Sequence, residues 1–168
     1  MPTKNTVQKA KRDLAEGKRP STAAGEFVRE EIEHIREGKH GARSTKQAIA
    51  IGLSKARRAG VPLKPPSPGR TQPRTRRAAT LAYEAGQGRR KPRATSPRRA
   101  RAMEKALKRE GSSAASPAAL SRQATSAATR RSASDRSRAA KQAAATKGPR
   151  ERSQSAKRAA ATRRRRGR

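Results

Sequence analysis

The sequence is poor in the residues that build a hydrophobic core. Its 168 residues include one Phe, one Tyr and no Trp. Leu, Ile, Val and Phe together make up about 8% of the chain. A strongly charged chain with less than ~20% of these residues is typically disordered. Most of the remaining apolar residues are alanines, which bury little surface each. The composition therefore excludes one compact core that spans the whole chain.

Cysteine and long apolar runs are also absent. The lack of Cys excludes disulfides, thiolate catalysis and Cys-ligated zinc or iron–sulfur sites. The longest apolar stretch, at 48–53, is far shorter than the ~18 residues that a membrane span requires. The N-terminus lacks the apolar region of a secretory signal. We therefore expect a cytoplasmic protein that has no membrane partner.

Positive charge dominates what is present. The chain carries 45 Lys and Arg against 12 Asp and Glu, a formal net charge of +33. Such a charge repels itself until a polyanion neutralises it. There are almost no aromatic side chains to stack on unpaired bases, which argues against a dedicated single-strand binder. The composition therefore predicts a nucleic-acid partner, with duplex DNA favoured over RNA.

The charge and the apolar residues are distributed unevenly. Residues 1–63 hold 12 of the 17 large apolar residues and carry a net charge of +7, whereas 64–168 carry +26. A cluster of prolines and glycine at 61–69 interrupts regular structure between them. We predict an all-α protein with a small helical head of about three short helices at 1–63. A Pro/Arg-rich linker at 64–95 and a largely disordered, helix-capable Ala/Ser/Arg-rich tail at 96–168 follow.

Apolar spacing and end signals predict the helices of the head. The first begins at Thr3 or Thr6 and stops at Gly17, and the second follows Pro20 and ends at Gly38. Each glycine is a common helix stop because it tolerates the left-handed conformation that ends a helix.

The third helix begins at Ser44, where Gln47 completes a capping box, and it ends at Gly60. Further helix starts are predicted in the tail at 96–97, 116–117 and 148–149, where a proline follows a Ser or Gly. The segments that follow these helix starts have no apolar face to bury. We therefore expect them to be unfolded until phosphates neutralise their arginines.

Six cations in the head are candidate nucleic-acid contacts. Lys39, Arg43 and Lys46 crowd the positive N-terminus of the third helix, where a cation costs energy and an external phosphate would be bound. The other three lie at the far end of the same helix, where they would either complement the helix dipole or contact phosphate. These three are Lys55, Arg57 and Arg58.

The linker and tail supply further candidates at higher density. They are Arg89, Arg90, Lys91, Arg93, Arg98, Arg99, Arg163, Arg164, Arg165 and Arg166. The stretch 96–99 (Ser-Pro-Arg-Arg) resembles the turns by which histone tails lie in A·T-rich minor grooves. The stretch 88–93 is similar to an AT-hook but lacks its Arg-Gly-Arg centre. An ordinary basic patch that contacts phosphates alone is the alternative for both stretches.

Three more specific interpretations of the head are weaker. The second and third helices could form a helix-turn-helix, although the turn at 38–43 is long; a packing and dimerising hairpin is the alternative. The loop 38–41 (Gly-Lys-His-Gly) matches the loop of KH domains, but no nearby segment alternates like a strand. Glu31 and His34 have the Glu-x-x-His spacing of di-iron bundles, yet a solvated helix face is the better interpretation. We therefore predict no metal, no cofactor and no enzymatic activity.

One segment has a recognisable pattern. The residues at 26–40, followed by Arg-Ser-Thr-Lys-Gln-Ala-Ile-Ala-Ile-Gly-Leu-Ser at 43–54, resemble a family of small basic bacterial proteins of unknown function, over roughly 20–61. The resemblance implies a bacterial source and assigns no role to any residue. The tail also resembles histone-like (linker-histone-like) tails in its composition.

Together these observations predict a non-specific, histone-like, nucleoid-associated DNA-binding protein that acts by phosphate neutralisation, with a possible homodimer through the head. An RNA- or ribosome-associated basic protein is one alternative. An adaptor whose head binds a protein partner is the other.

Overall fold

A computed structural model describes residues 2–91, 96–146 and 148–167 of the protein. Within these ranges the chain forms eight α-helices and one short 3₁₀ helix, and it contains no strand. The helices are α1 Lys4–Ala15, α2 Pro20–Arg36, α3 Thr45–Arg58, α4 Pro73–Gly86, α5 Pro97–Arg109, α6 Pro117–Thr129, α7 Ala133–Thr146 and α8 Pro149–Arg166, with the 3₁₀ helix at Ser113–Ala115. The predicted all-α class is confirmed.

Local sequence signals set the helix ends in the head. The Thr3 hydroxyl accepts a hydrogen bond from the Thr6 amide at 3.3 Å and so begins α1. Ser44 accepts one from the Gln47 amide at 3.2 Å, while the Gln47 side chain accepts one from the Arg43 amide at 2.9 Å. The predicted capping box is therefore present, with its reciprocal bond one residue earlier than the standard motif. Gly38 follows α2 with φ +72°, a conformation that L side chains rarely adopt.

The first of two small cores is built around Phe27, which is completely buried. Alanines of α1, α2 and α3 and Val61 surround it, and Leu14 and Leu53 pack against its edge. Small side chains allow α1, α2 and α3 to lie close together, so that one aromatic ring is enough to fill the space between them.

The second core joins the head to a segment far along the chain. Ile32 and Ile35 of α2 and Ala48 of α3 pack against Ala114 and Ala115. Hydrogen bonds fix the same contact, because the Thr45 hydroxyl donates to the Ala114 carbonyl at 2.7 Å and the Arg36 Nε donates to the Ala115 carbonyl at 2.9 Å.

The prediction of a disordered tail is wrong for the residues that the structure describes. Beyond residue 63 the chain forms α4 to α8, and α4 packs against α3. Two physical features account for the difference. Ala and Arg have high helix propensity, and prolines at the first position of α4, α5, α6 and α8 are pre-organised for a helix start. The starts predicted at 96–97, 116–117 and 148–149 are confirmed.

The internal contacts divide the chain into Met1–Gln123 and Ala124–Arg168, a partition that differs from the predicted head, linker and tail. Within the second unit, the Ser132 hydroxyl accepts a hydrogen bond from the Asp135 amide at 3.1 Å before α7. Asp135 also pairs with Arg138 at 2.8 Å. The side chains that the structure describes in α8 are exposed, so backbone hydrogen bonds and propensity maintain this helix rather than packing.

Two helical glycines provide a matched test of the packing between α2 and α3. A Cβ on Gly52 would lie 2.7 Å from the Val28 Cα, whereas a Cβ on Gly25 would meet nothing within 4 Å. We expect Gly52→Ala to lower the free energy of unfolding by about 1–3 kcal/mol, because the two backbones must separate. Gly25→Ala should raise it by up to about 1 kcal/mol through helix propensity. Urea unfolding followed by circular dichroism measures both, and equal effects would show that Gly52 is not a contact point.

Candidate nucleic-acid interface

The loop before α3 presents the first group of predicted cations. Two backbone hydrogen bonds hold it, because the Gly41 amide donates to the Leu107 carbonyl at 2.9 Å and the Ala42 amide donates to the Gly111 carbonyl at 3.3 Å. Lys39, Arg43 and Lys46 are exposed around it. The Lys39 ammonium lies 2.8 Å from Glu37, and this contact lowers the pKa of that carboxyl group.

Two of the six predicted head cations have partners inside the fold. The Lys55 ammonium contacts the Glu31 carboxylate at 2.5 Å. Arg57 is buried, its Nε donates to the Leu63 carbonyl at 3.1 Å, and burial lowers its pKa. These internal contacts explain the two residues without the helix dipole or an external phosphate. Arg58 is exposed.

The exposed face of α3 is a narrow stripe. Lys46, Ala50 and Arg58 are exposed and Ser54 is half-buried between them. These positions recur every four residues and so lie along one side of the helix. Twelve residues of helix cover roughly 18 Å, so the stripe carries a cation at each end and small side chains between them.

Sequence reasoning missed a group of arginines beside α4. Arg74, Arg76 and Arg77 in the first turns of α4, together with Arg90 beyond its end, line an open groove of about 660 Å³. Leu81, which is 40% exposed, also lines it. Among the described residues of the groove the sole acid is Glu84. The signal that could have revealed this site is the one used for α3, namely cations in a first turn that contains no acid.

The predicted cations that follow α4 and begin α5 are exposed wherever the structure describes them. Arg89, Arg90 and Lys91 follow α4 and are exposed, as are Arg98 and Arg99 in the first turn of α5. Arg93 lies outside the described residues.

The predicted cations of the second unit occupy the last turn of α8. Arg163, Arg164 and Arg165 are exposed there. Arg166 is the last residue of the helix, and its side chain lies outside the described part. Cations in a last turn complement the helix dipole, and in this unit they also form a dense positive end.

The prediction that the Glu-x-x-His pair lies on a solvated helix face is wrong. Glu31 is completely buried, and only 18% of the His34 side chain is exposed. His40 reaches the same place from the loop, so that its Nε2 lies 3.3 Å from Glu31 Oε1. Sequence reasoning failed here because the loop and Lys55, which cover this face of α2, come from other parts of the chain.

The KH-domain and helix-turn-helix interpretations of the head have different outcomes. The described residues contain no strand, so the sheet that a KH domain requires is not found there. The α2–α3 hairpin is present, and α3 keeps one exposed face, but whether that face enters a DNA groove stays a hypothesis. No helix in the described part of the chain is both long and apolar enough to cross a membrane.

One segment of the chain matches a known protein family. No curated protein and no solved structure matches the chain. The resemblance to an uncharacterised family is confirmed for the segment that contains α1, α2, α3 and the buried Glu31: residues 4–66 match the family model of DUF6496, a family of unknown function.

Proposed function

We propose that this protein is a non-enzymatic, histone-like DNA-binding protein that coats or bridges duplex DNA in a bacterial nucleoid. The observation that carries the proposal is the arginine groove beside α4, formed by Arg74, Arg76, Arg77 and Arg90. No carboxylate in the described part of the chain lies within ion-pairing distance of these four side chains. Unpaired guanidinium groups gathered in one groove favour a multivalent anion, and a guanidinium binds phosphate through two parallel hydrogen bonds.

The acidic residues leave these cations available because they are concentrated elsewhere. Seven of the 12 acidic residues lie in 1–37, where Arg12 and Arg29 pair with Glu16, Glu26 and Glu33 at 3.3–3.7 Å. The first helices therefore neutralise much of their own charge. The excess charge of the protein lies beyond them, and the four groove arginines have no carboxylate partner to lose when DNA binds.

The exposed face of α3 supports contact with the DNA backbone. Its stripe of Lys46, Ala50, Ser54 and Arg58 has small side chains where a helix in the major groove would need long polar groups to reach base edges. Phosphate contacts fix position and supply affinity, and they carry no sequence information directly. We therefore infer binding with little sequence preference.

Removing groove arginines should weaken DNA binding more than removing paired ones. We expect Arg74→Ala/Arg77→Ala to lower the affinity for duplex DNA about 25-fold at ~0.15 M salt, since each lost phosphate contact costs roughly 5-fold at that concentration. The control is Arg12→Ala/Arg29→Ala, which removes the same charge from exposed arginines that already pair with carboxylates. It should change the affinity by less than about 3-fold. Fluorescence anisotropy with a labelled duplex measures both.

Three outcomes would contradict the proposal. Equal losses in both double variants would mean that net charge alone matters and that the groove is not a contact surface. Tighter binding to duplex RNA than to DNA of the same sequence would favour the RNA- or ribosome-associated alternative. A stoichiometric protein partner retained after nuclease treatment, with no affinity for either duplex, would favour the adaptor.

A further inference from the structure

The chain contains two histidines, and both lie in one partly buried cluster. His34 of α2 and His40 of the following loop have ring centroids 6.4 Å apart in an edge-to-face arrangement. One ligand atom each from Glu31, His34 and His40 can be chosen so that all three lie within 4.8 Å of one another. This is the one such three-residue group of His and acidic side chains in the described part of the chain. The nucleic-acid interface uses none of these side chains.

The hydrogen bonding of His40 determines which ring nitrogen carries the proton and which one faces the Glu31 carboxylate with a lone pair. His40 Nδ1 lies 3.1 Å from the Gly41 carbonyl oxygen. A carbonyl oxygen can only accept a hydrogen bond, so Nδ1 carries the proton. In the neutral ring Nε2 is then an acceptor, and it lies 3.3 Å from Glu31 Oε1, which is also an acceptor. At this distance the two facing lone pairs repel each other unless a positive charge, either a proton on Nε2 or a bound cation, lies between or beside them.

The carboxylate side of the cluster also lacks partners. Glu31 Oε2 contacts Lys55, but Glu31 Oε1 is buried and has no hydrogen-bond donor in the described structure. The neighbouring Glu30 is 5% exposed, and its Oε2 is buried without a donor as well. Lys55 contacts Glu31 alone. Glu30 Oε1 accepts a hydrogen bond from the Thr3 amide at 2.7 Å and lies 4.0 Å from His34 Nε2. Buried negative charge without compensation is costly, so one more positive charge at this site would be stabilising.

We propose that Glu31, His34 and His40 bind one divalent transition-metal ion, with Zn²⁺ as the expected occupant. Imidazole and carboxylate are ligands that Zn²⁺ uses in His₂Glu sites, where a water takes the fourth position. A tetrahedral ion with bonds of about 2.0–2.2 Å holds its ligand atoms roughly 3.4 Å apart. His40 Nε2 and Glu31 Oε1 already have about this separation, and one ligand atom from each of the three residues lies within 4.8 Å of the others.

The surroundings support metal binding in two ways. The bond from His40 Nδ1 to the Gly41 carbonyl is the outer-shell contact that usually orients a ligating histidine. Burial, and then the charges of Lys39 and Lys55, lower the pKa of His34, and this direction favours the neutral imidazole that a metal ion needs as a ligand. The bound ion would tie the 37–44 loop to α2, and this loop carries Lys39 and Arg43.

The direct test is Zn²⁺ binding by the full chain prepared without a histidine tag and freed of metal with a chelator. We expect saturable binding of one Zn²⁺ per chain in calorimetric titration. The ¹⁵N signals of both histidines should shift together, and their assignment is simple because the chain has no others. His40→Gln should weaken binding by about 100-fold or more, since it removes a ligand, while outer-shell losses cost 10–100-fold. Glu33→Gln, an exposed carboxylate on the same helix, is the control and should bind like the wild type.

Several results would overturn the proposal. Wild-type protein that shows no saturable Zn²⁺ binding would do so, as would His40→Gln protein of unchanged helicity that binds as tightly as the wild type. A His40 ring whose ¹⁵N shifts show a doubly protonated state at neutral pH, unchanged by Zn²⁺, would mean that a proton supplies the missing charge. The wild-type measurements remain decisive even if a variant fails to fold, and none of them involves DNA.

Discussion

Raising the salt concentration from about 50 to 200 mM should lower the affinity of the full chain for duplex DNA by roughly 10³- to 10⁵-fold, if 6–10 phosphates are contacted. The reason is that each neutralised phosphate releases condensed counterions, and the entropy of their release falls as the bulk salt concentration rises. The exposed cations of the α4 groove, the loop before α3 and the first turn of α5 together number nine, which lies within this range.

The measurement is a series of anisotropy titrations at increasing salt, plotted as log K against log salt concentration. A slope of about −0.9 per contacted phosphate is expected for B-DNA. A second duplex of unrelated sequence serves as the control, and its affinity and slope should be nearly the same, because phosphates carry no sequence information directly. A flat plot, or a strong preference for one sequence, would show that base contacts rather than phosphates dominate.

Replacing Lys55 with methionine should lower the free energy of unfolding by about 3–5 kcal/mol, because it leaves the Glu31 charge buried without its partner. Glu31 is completely buried and the Lys55 ammonium lies 2.5 Å from its Oε2. Removing one member of a buried ion pair is far more damaging than replacing both members by apolar groups of similar size. Much of the stability is therefore expected to return in Lys55→Met/Glu31→Leu.

Urea unfolding in the presence of a chelator measures these variants without a contribution from metal. Lys46→Met is the matched control, because this lysine lies exposed at the other end of α3, and it should shift the free energy of unfolding by less than about 0.5 kcal/mol. If Lys55→Met were no more destabilising than Lys46→Met, the pair would not be an internal part of the fold. If the double variant were as unstable as the single one, lost packing rather than lost charge compensation would be the cause.

The candidate interface was only partly predictable from the sequence. Arg43 and Lys46 are exposed, as a phosphate contact requires, because cations next to a helix start have nothing local to bind. Lys55 and Arg57 occur in the same run of basic residues, yet they contact Glu31 and the Leu63 carbonyl. Which side of α3 faces another helix depends on α2 and on the chain after α3, and this information is absent from a count of charges. The sequence did not predict the groove beside α4, because it did not predict the helix at 73–86.

The sequence by itself determined the all-helical class, most of the helix starts and stops in the head, and the excess of positive charge. These depend on interactions within a few residues, such as the Ser44 cap, the positive φ of Gly38 and the propensity of alanine. The tertiary structure alone decided that Glu31 is buried beside both histidines and that Ala114 and Ala115 complete the core of the head. The physical reason is that burial is set by contacts between segments distant in the sequence. In a chain with so few large apolar residues, alanines supply those contacts without any local pattern that marks them in advance.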